Sequence, residues 1–168
     1  MKILLYLLTL IPSLIPITTL GYEFNQEWCD YKISYPGTPQ YAIVPKNKKM
    51  PLTAVISFKY EKYEVVFQCE MNSLHLIPEG ESVCKYIKES TNLVSGKVSD
   101  CSYKKHPSHV TAMAFLEVPY EGGGNFLEIE EVRISRNNKF TIQFFDQGLS
   151  GAEREKIFHL IHKSFTKK

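Results

Sequence analysis

Alternation of apolar and polar residues along most of the chain is the feature that most constrains its fold. A period of two puts every second side chain on the same face of a strand, so each alternating segment predicts a strand with one buried face. The predicted strands are residues 28–35, 41–44, 52–60, 63–71, 97–104, 109–118, 126–136 and 139–146. Short connections, such as Glu61-Lys62, indicate that these strands are mainly antiparallel. The apolar parity of the segment 126–136 shifts between Ile129 and Val132, which predicts a β-bulge.

Two segments change to helical spacing. After Pro78, apolar residues recur at helical intervals and predict a helix over 79–93 that ends near Gly96. Ser150 and Glu153 have the spacing of a capping box and begin a second helix. The predicted apolar stripe of this helix consists of Ile157, Phe158, Leu160, Ile161 and Phe165, and Lys163, Lys167 and Lys168 are expected at its carboxyl end.

These elements follow the order β-β-β-β-α-β-β-β-β-α. Each helix carries one apolar stripe, so each is expected to pack on a face of the sheet. The sequence therefore predicts an α+β fold, a mainly antiparallel β-sheet with two helices packed on it. We expect a single domain over residues 22–168, because the chain contains no repeat and no interdomain linker.

The first 21 residues are predicted to be a secretory signal peptide. Lys2 is the only charged residue before Glu23, and the apolar run Ile3–Ile11 is followed by two prolines and a small-residue exit at Gly21. Cleavage after Gly21 would place the remaining chain in the periplasm or the extracellular space, with no stable membrane anchor. The alternative is an uncleaved anchor, and the two prolines argue against it because they break a helix.

The charge balance points to no electrostatic class of partner. The chain holds 20 Lys and Arg against 18 Asp and Glu, a formal net charge of +2. Nucleic-acid-binding proteins normally carry a basic excess, so nucleic acid is not an expected partner. The abundance of Lys, Asn and Ile is typical of proteins from AT-rich bacterial genomes.

Cys29, Cys69, Cys84 and Cys101 form an even set in a chain predicted to be exported. Export favours disulfides over free thiols. The sequence contains no Cys-x-x-Cys motif, so it indicates neither a redox dithiol nor a zinc site. Three pairings are possible. Cys29 and Cys69 point to the apolar faces of their predicted strands, and Cys84 lies on the helix that leads to the strand of Cys101. These positions favour Cys29–Cys69 and Cys84–Cys101, and the alternative is four buried free thiols.

The order of elements resembles the PsbP/DcrB-like superfamily. The segments that carry the resemblance are Tyr35-Pro36-Gly37, the helix that leads through Gly96 to a strand, Glu128 to Ile134, the turn Asn137-Asn138-Lys139 into Phe140–Phe144, and the ending Ile161-His162-Lys163-Ser164-Phe165. The resemblance implies a PsbP-like sandwich and an exported or lumenal, non-enzymatic accessory role. It brings no shared catalytic motif and no cofactor.

Two groups of polar residues are candidates for chemistry. Glu155, His159 and His162 lie at helical spacing on the last helix and could bind a divalent metal if another ligand were supplied, although a solvated helix face is the simpler interpretation. Ser108 with His106 and His109 could suggest nucleophilic catalysis. However, no Gly-x-Ser-x-Gly elbow is present, so an exposed turn is the simpler interpretation.

Two further segments also have both a functional interpretation and a simpler structural one. Glu128, Glu130 and Glu131 could act as paired carboxylates, but a solvated outer strand face is expected instead. Gly122, Gly123 and Gly124 precede a strand rather than a helix, so they predict a hairpin loop that is open to contact and not a phosphate cradle.

Trp28, Tyr31 and Tyr35 could line a groove near the start of the mature chain and form a partner surface together with the glycine loop. The sequence therefore favours an exported non-enzymatic binding or accessory protein with an unidentified protein or small-molecule partner. The alternative is a secreted effector or a small metal-dependent hydrolase that uses His106 and His109 or the histidines of the last helix.

Overall fold

The computed structural model describes residues 22–47, 50–119 and 125–168. The predicted signal peptide and the glycines at 122–124 lie outside the described residues. In chain order the described elements are β1 (Tyr22–Phe24), β2 (Tyr31–Tyr35), β3 (Gln40–Val44), β4 (Thr53–Lys59), β5 (Tyr63–Met71), α1 (Gly80–Leu93), β6 (Lys97–Lys105), β7 (His109–Pro119), β8 (Asn125–Ser135), β9 (Asn138–Asp146), α2 (Gly151–Ser164) and β10 (Phe165–Lys167). Neither helix formed by these residues is long and apolar enough to span a bilayer.

The strands form two sheets, one of three strands in the order β1-β2-β10 and one of seven in the order β3-β4-β5-β9-β8-β7-β6. Neighbouring strands are antiparallel throughout. The predicted α+β fold, a mainly antiparallel sheet with two helices, is confirmed. β1 and β10 were not expected, because segments of three residues are too short to show an alternating pattern.

A layer packs on each face of the seven-stranded sheet, and the second face is covered only in part. Its first face carries Phe67, Phe140 and Ile142, which pack against β2 and α2 in the larger core. Its second face carries Val110 and Val132 among others, and it packs against α1 in a smaller core. α1 therefore buries its apolar side on a sheet face, as predicted. α2 buries Ile161 in the same way, but Leu160 of its predicted stripe is 38% exposed.

Coverage of both faces explains the irregular pattern of β8. The pairing of β8 runs without a shift against β7 and β9, so the predicted bulge between Ile129 and Val132 is wrong. Ile129 packs into the larger core, whereas Val132 packs into the smaller one on the opposite face. The register shift in this sheet lies in β6, between Val98 and Asp100.

The second helix begins as predicted and ends earlier. The Ser150 Oγ accepts a hydrogen bond from the Glu153 N–H, and the Glu153 carboxylate accepts one from the Ser150 N–H at 2.8 Å, which completes the capping box. Phe165 leaves the helix with extended backbone angles and pairs with Ile33 of β2. Its ring then packs against Phe140 in the larger core, which is why the helical stripe stops at Ile161 and Lys167 lies in a strand.

Both expected disulfides are present. Cys29 and Cys69 have Cα atoms 6.1 Å apart and link the segment before β2 to β5. Cys84 and Cys101 have Cα atoms 5.9 Å apart and link α1 to the edge strand β6. Each disulfide therefore fastens one covering layer to the seven-stranded sheet.

We expect removal of the Cys29–Cys69 disulfide to destabilise the protein more than removal of the Cys84–Cys101 disulfide. In the chain-entropy model, closure of a loop with a sequence separation of 40 contributes about 4 kcal/mol, and closure with a separation of 17 contributes about 3 kcal/mol. Urea unfolding of Cys29→Ala/Cys69→Ala and Cys84→Ala/Cys101→Ala beside the wild type measures both losses. A larger loss in the second variant would contradict this order.

Candidate functional site

An apolar groove lies where α1 leaves part of the second sheet face open. α1 packs on β6 and β7, and the segment 72–79 that connects β5 to α1 forms the opposite wall. We call this space the α1 groove, and its apolar lining includes Met71, Leu74, Leu76, Ile77, Tyr86 and Ile134. Its volume of about 420 Å³ is within the range of ligand-binding clefts.

Asn72 holds the outer wall of the α1 groove in place. Its Nδ2 donates hydrogen bonds to the carbonyls of Leu76 and Ser135, both at 2.7 Å, and its Oδ1 accepts one from the Leu74 N–H at 3.0 Å. Its own N–H donates to the carbonyl of Asn137 at 2.8 Å. The side chains of Leu74 and Leu76 nevertheless remain 74% and 66% exposed. The wall is therefore ordered by polar contacts while it presents two leucines to solvent.

The rim of the α1 groove on the side of β9 is polar. The Lys139 Nζ lies 5.4 Å from the centroid of the Tyr86 ring and 3.6 Å from a carboxylate oxygen of Glu70. Gln68 donates a hydrogen bond to the same carboxylate at 3.3 Å. The groove can therefore accept a mainly apolar ligand and offer it charged groups along one side.

The sequence interpretation did not identify this groove. Leu74, Leu76 and Ile77 lie between the predicted strand 63–71 and the predicted helix 79–93, and they fit the apolar stripe of neither. The sequence did contain a signal for the groove, because these three apolar residues lie where no predicted strand or helix would bury them.

The aromatic residues expected to line a partner groove belong to the core instead. Tyr31 and Tyr35 are 4% and 0% exposed, and Trp28 packs partly buried against the same core. Pairing of β2 with β1 and β10, together with the Cys29–Cys69 disulfide, holds β2 so that its tyrosine side chains lie between the two sheets. Burial raises the pKa of the Tyr31 and Tyr35 hydroxyls. The expectation of a groove at these two tyrosines is wrong, and the glycines at 122–124 lie outside the described residues.

The candidate metal residues of α2 point to different surroundings. The His162 Nε2 lies 3.6 Å from a carboxylate oxygen of Glu131, whereas His159 and Glu155 are exposed. His159 lines an open depression of about 710 Å³ beside Lys156 and Lys163. Within residues 22–47, 50–119 and 125–168, no three His, Cys, Asp or Glu side chains are close enough to hold a metal ion.

Ser108 and the two histidines lie in the turn between β6 and β7. The Ser108 Oγ is 3.2 Å from the His109 Nδ1, and the rings of His106 and His109 stack with centroids 4.3 Å apart. Burial lowers the pKa of His109, and the neighbouring His106 and Lys167 lower it further. In the described part of the chain no carboxylate bonds to His109, so the turn lacks the group that orients a catalytic histidine.

The carboxylates of β8 are not a solvated outer face, contrary to expectation. Glu128 and Glu131 are 6% and 4% exposed and lie on opposite faces of the sheet. Glu131 pairs with Arg133 at 2.7 Å on the first face. On the second face Glu128 accepts a hydrogen bond from Gln143 at 3.1 Å. Burial raises the pKa of Glu128 to about 7, with a further contribution from the neighbouring charge of Glu130.

We expect Glu128 to make the protein less stable as the pH rises from about 4.5 to about 7. Its pKa is higher in the folded state than in the unfolded chain, so the folded state binds more protons in this window and loses stability as the pH rises. The Glu128→Gln substitution should reduce this decrease in the free energy of unfolding by on the order of 2 kcal/mol. Urea unfolding across this pH range measures it.

The control for this experiment is Glu89→Gln, because Glu89 is exposed on α1. Glu130 contributes in the same direction, since burial also raises its pKa, so the pH dependence should shrink in Glu128→Gln and not vanish. An unchanged pH dependence in Glu128→Gln would contradict the prediction.

Comparisons with known proteins give their result at the level of the fold. No protein-family model and no curated protein sequence matches the chain. Among solved structures, the chain is similar to cyanobacterial PsbP (CyanoP) from Synechocystis sp. PCC 6803, with a TM-score of 0.64 and 12% identity over 89% of this chain and 94% of that chain. It is also similar to PA94 from Pseudomonas aeruginosa, a putative regulator of unknown function, with a TM-score of 0.51 and 8% identity over 89% of this chain and 98% of that chain. The chain has a PsbP-like α+β fold and is structurally similar to CyanoP.

Proposed function

We propose that this protein is an exported, non-enzymatic accessory protein that binds a protein partner through the α1 groove. The observation that carries the proposal is the wall formed by Leu74 and Leu76, which is fixed by four hydrogen bonds of Asn72 and yet exposes both leucines. Single apolar side chains on a surface are ordinary. Two exposed leucines on an ordered wall, above an apolar cleft, are typical of a docking surface.

Export is supported by the disulfides. Both pairs join elements of the core, and disulfides persist in oxidising compartments such as the periplasm or the extracellular space. An accessory role is compatible with the fold, which is similar to that of CyanoP and of a putative regulator.

A protein partner fits the groove better than a small molecule does. Leu74 and Leu76 project from the wall into solvent, where a ligand confined to the cleft would leave much of their surface exposed. A partner that inserts apolar side chains into the cleft also covers the outer surface of the wall. The hydrophobic effect then contributes about 25 cal/mol for each Å² of apolar surface removed from water.

We expect the Leu74→Ser/Leu76→Ser variant to lose a partner that the wild-type protein captures. Each protein is immobilised and exposed to cellular and secreted fractions of the source organism, and the bound proteins are identified by mass spectrometry and titrated. Both leucines would be buried in the complex, so their replacement should weaken the affinity for the partner at least about tenfold.

The matched control is Leu93→Ser, because Leu93 is 87% exposed at the other end of α1 and lies outside the groove lining. This control should retain the partner. Equal capture by the wild type, the double variant and the control would show that the α1 groove is not the docking surface.

A further inference from the structure

We propose that a second pocket, which lies beside the β6–β7 and β8–β9 turns and is lined by cationic side chains, binds a compact oxyanion. The pocket has a volume of about 450 Å³ and forms where five separate segments meet. These are the β6–β7 turn with Ser108, the β8–β9 turn with Arg136, Lys167 and Lys168 at and after the end of β10, Asp30 before β2, and Ile77 in the segment 72–79. We call it the anion pocket.

The anion pocket concentrates positive charge on a nearly neutral chain. Three cationic side chains, those of Arg136, Lys167 and Lys168, line it with one carboxylate side chain, that of Asp30, so the charges of the lining side chains sum to +2. The whole chain also has a formal net charge of +2, from 20 basic and 18 acidic residues. The pocket is therefore a local concentration of positive charge that the net charge of the chain does not reveal.

The cations of the pocket are not neutralised by nearby carboxylates. Among the described residues, none of the three forms an ion pair with Asp or Glu. The Lys167 Nζ has a neutral partner, the Ser108 Oγ at 3.4 Å, and the Lys168 Nζ donates to the carbonyl of Gln26. The Asp30 carboxylate instead accepts the hydroxyl proton of Ser135 at 2.9 Å.

The donors around the pocket suit an oxyanion. The guanidinium of Arg136 can donate two parallel hydrogen bonds to a phosphate or a carboxylate, and Lys167 adds a mobile charge. Ser108 adds a hydroxyl within reach of Lys167. Lys167 also acts on the neighbouring His109, whose pKa is lowered first by burial and then by His106, Lys167 and Arg133.

Two sources of the anion share this chemistry. One is a free anion such as inorganic phosphate, and the other is an acidic group on a partner seated in the α1 groove, because Ile77 lines both the groove and the anion pocket. The inference does not depend on the proposed function, since the pocket contains none of the exposed leucines.

The test is a titration of the wild-type protein with sodium phosphate at constant ionic strength, followed by the amide NMR signals of Ser108, Arg136 and Asn137. We expect saturable shifts at these residues and at least about tenfold weaker binding by Arg136→Gln/Lys167→Gln. Asp30→Asn should bind more tightly, because it removes the one acidic side chain among the described lining residues while it keeps an acceptor for Ser135.

The matched control is Lys85→Gln/Lys88→Gln, which removes two exposed cations from α1 and leaves the pocket intact. Shifts that do not saturate, or equal affinities in the two double variants, would overturn the proposal. In a second arm, phosphate is added during partner capture. Competition identifies the partner's acidic group as the occupant, and capture unaffected by phosphate identifies the free anion. Phosphate binding that survives in Leu74→Ser/Leu76→Ser separates this proposal from the docking surface.

Discussion

Packing of the aromatic side chains of β2 against the first face of the seven-stranded sheet is the interaction on which the rest of the structure depends. Tyr31 stacks on Phe140 with ring centroids 4.4 Å apart, and Tyr35 packs on Phe58 at 4.9 Å. Aromatic pairs of this kind bury large surfaces and add about 1 kcal/mol beyond the burial itself. The Cys29–Cys69 disulfide reinforces the same contact covalently.

The position of the carboxyl-terminal elements follows from this contact. β10 pairs with β2, and its Phe165 ring packs on Phe140, so the chain must leave the helix at Ser164. The same arrangement brings Lys167 and Lys168 beside Asp30 and the turns of the large sheet. The cationic pocket is thus a consequence of how β2 is held.

The second face of the sheet is covered differently, and this difference produces the groove. A single helix lies on β6 and β7, and the Cys84–Cys101 disulfide fixes it there. One helix about 10 Å in diameter is too narrow to cover seven strands spaced about 4.8 Å apart. The segment 72–79 closes part of the remaining surface, and Asn72 orders it with leucines facing solvent. The α1 groove is the space left between the two.

The sequence by itself determined the local elements, because their patterns depend on neighbours along the chain. The alternation in residues 63–71 and the capping box at Ser150 and Glu153 predicted β5 and the start of α2. Cys29 and Cys69, read as inward-facing residues of two strands, also predicted the correct pairing. Each of these features can be recognised from the pattern of residues within individual segments.

Only the tertiary structure decided which surfaces remain open. Tyr31 and Tyr35 were predicted to be available to a partner and are buried, whereas Glu128 was predicted to be solvated and is 6% exposed on the sheet face that α1 partly covers. Both pockets combine residues from distant segments, with Asp30 and Lys167 in one and Leu74 and Ile134 in the other. A near-neutral net charge gave no partner class, since net charge sums over the whole chain, whereas recognition depends on charges that folding brings together.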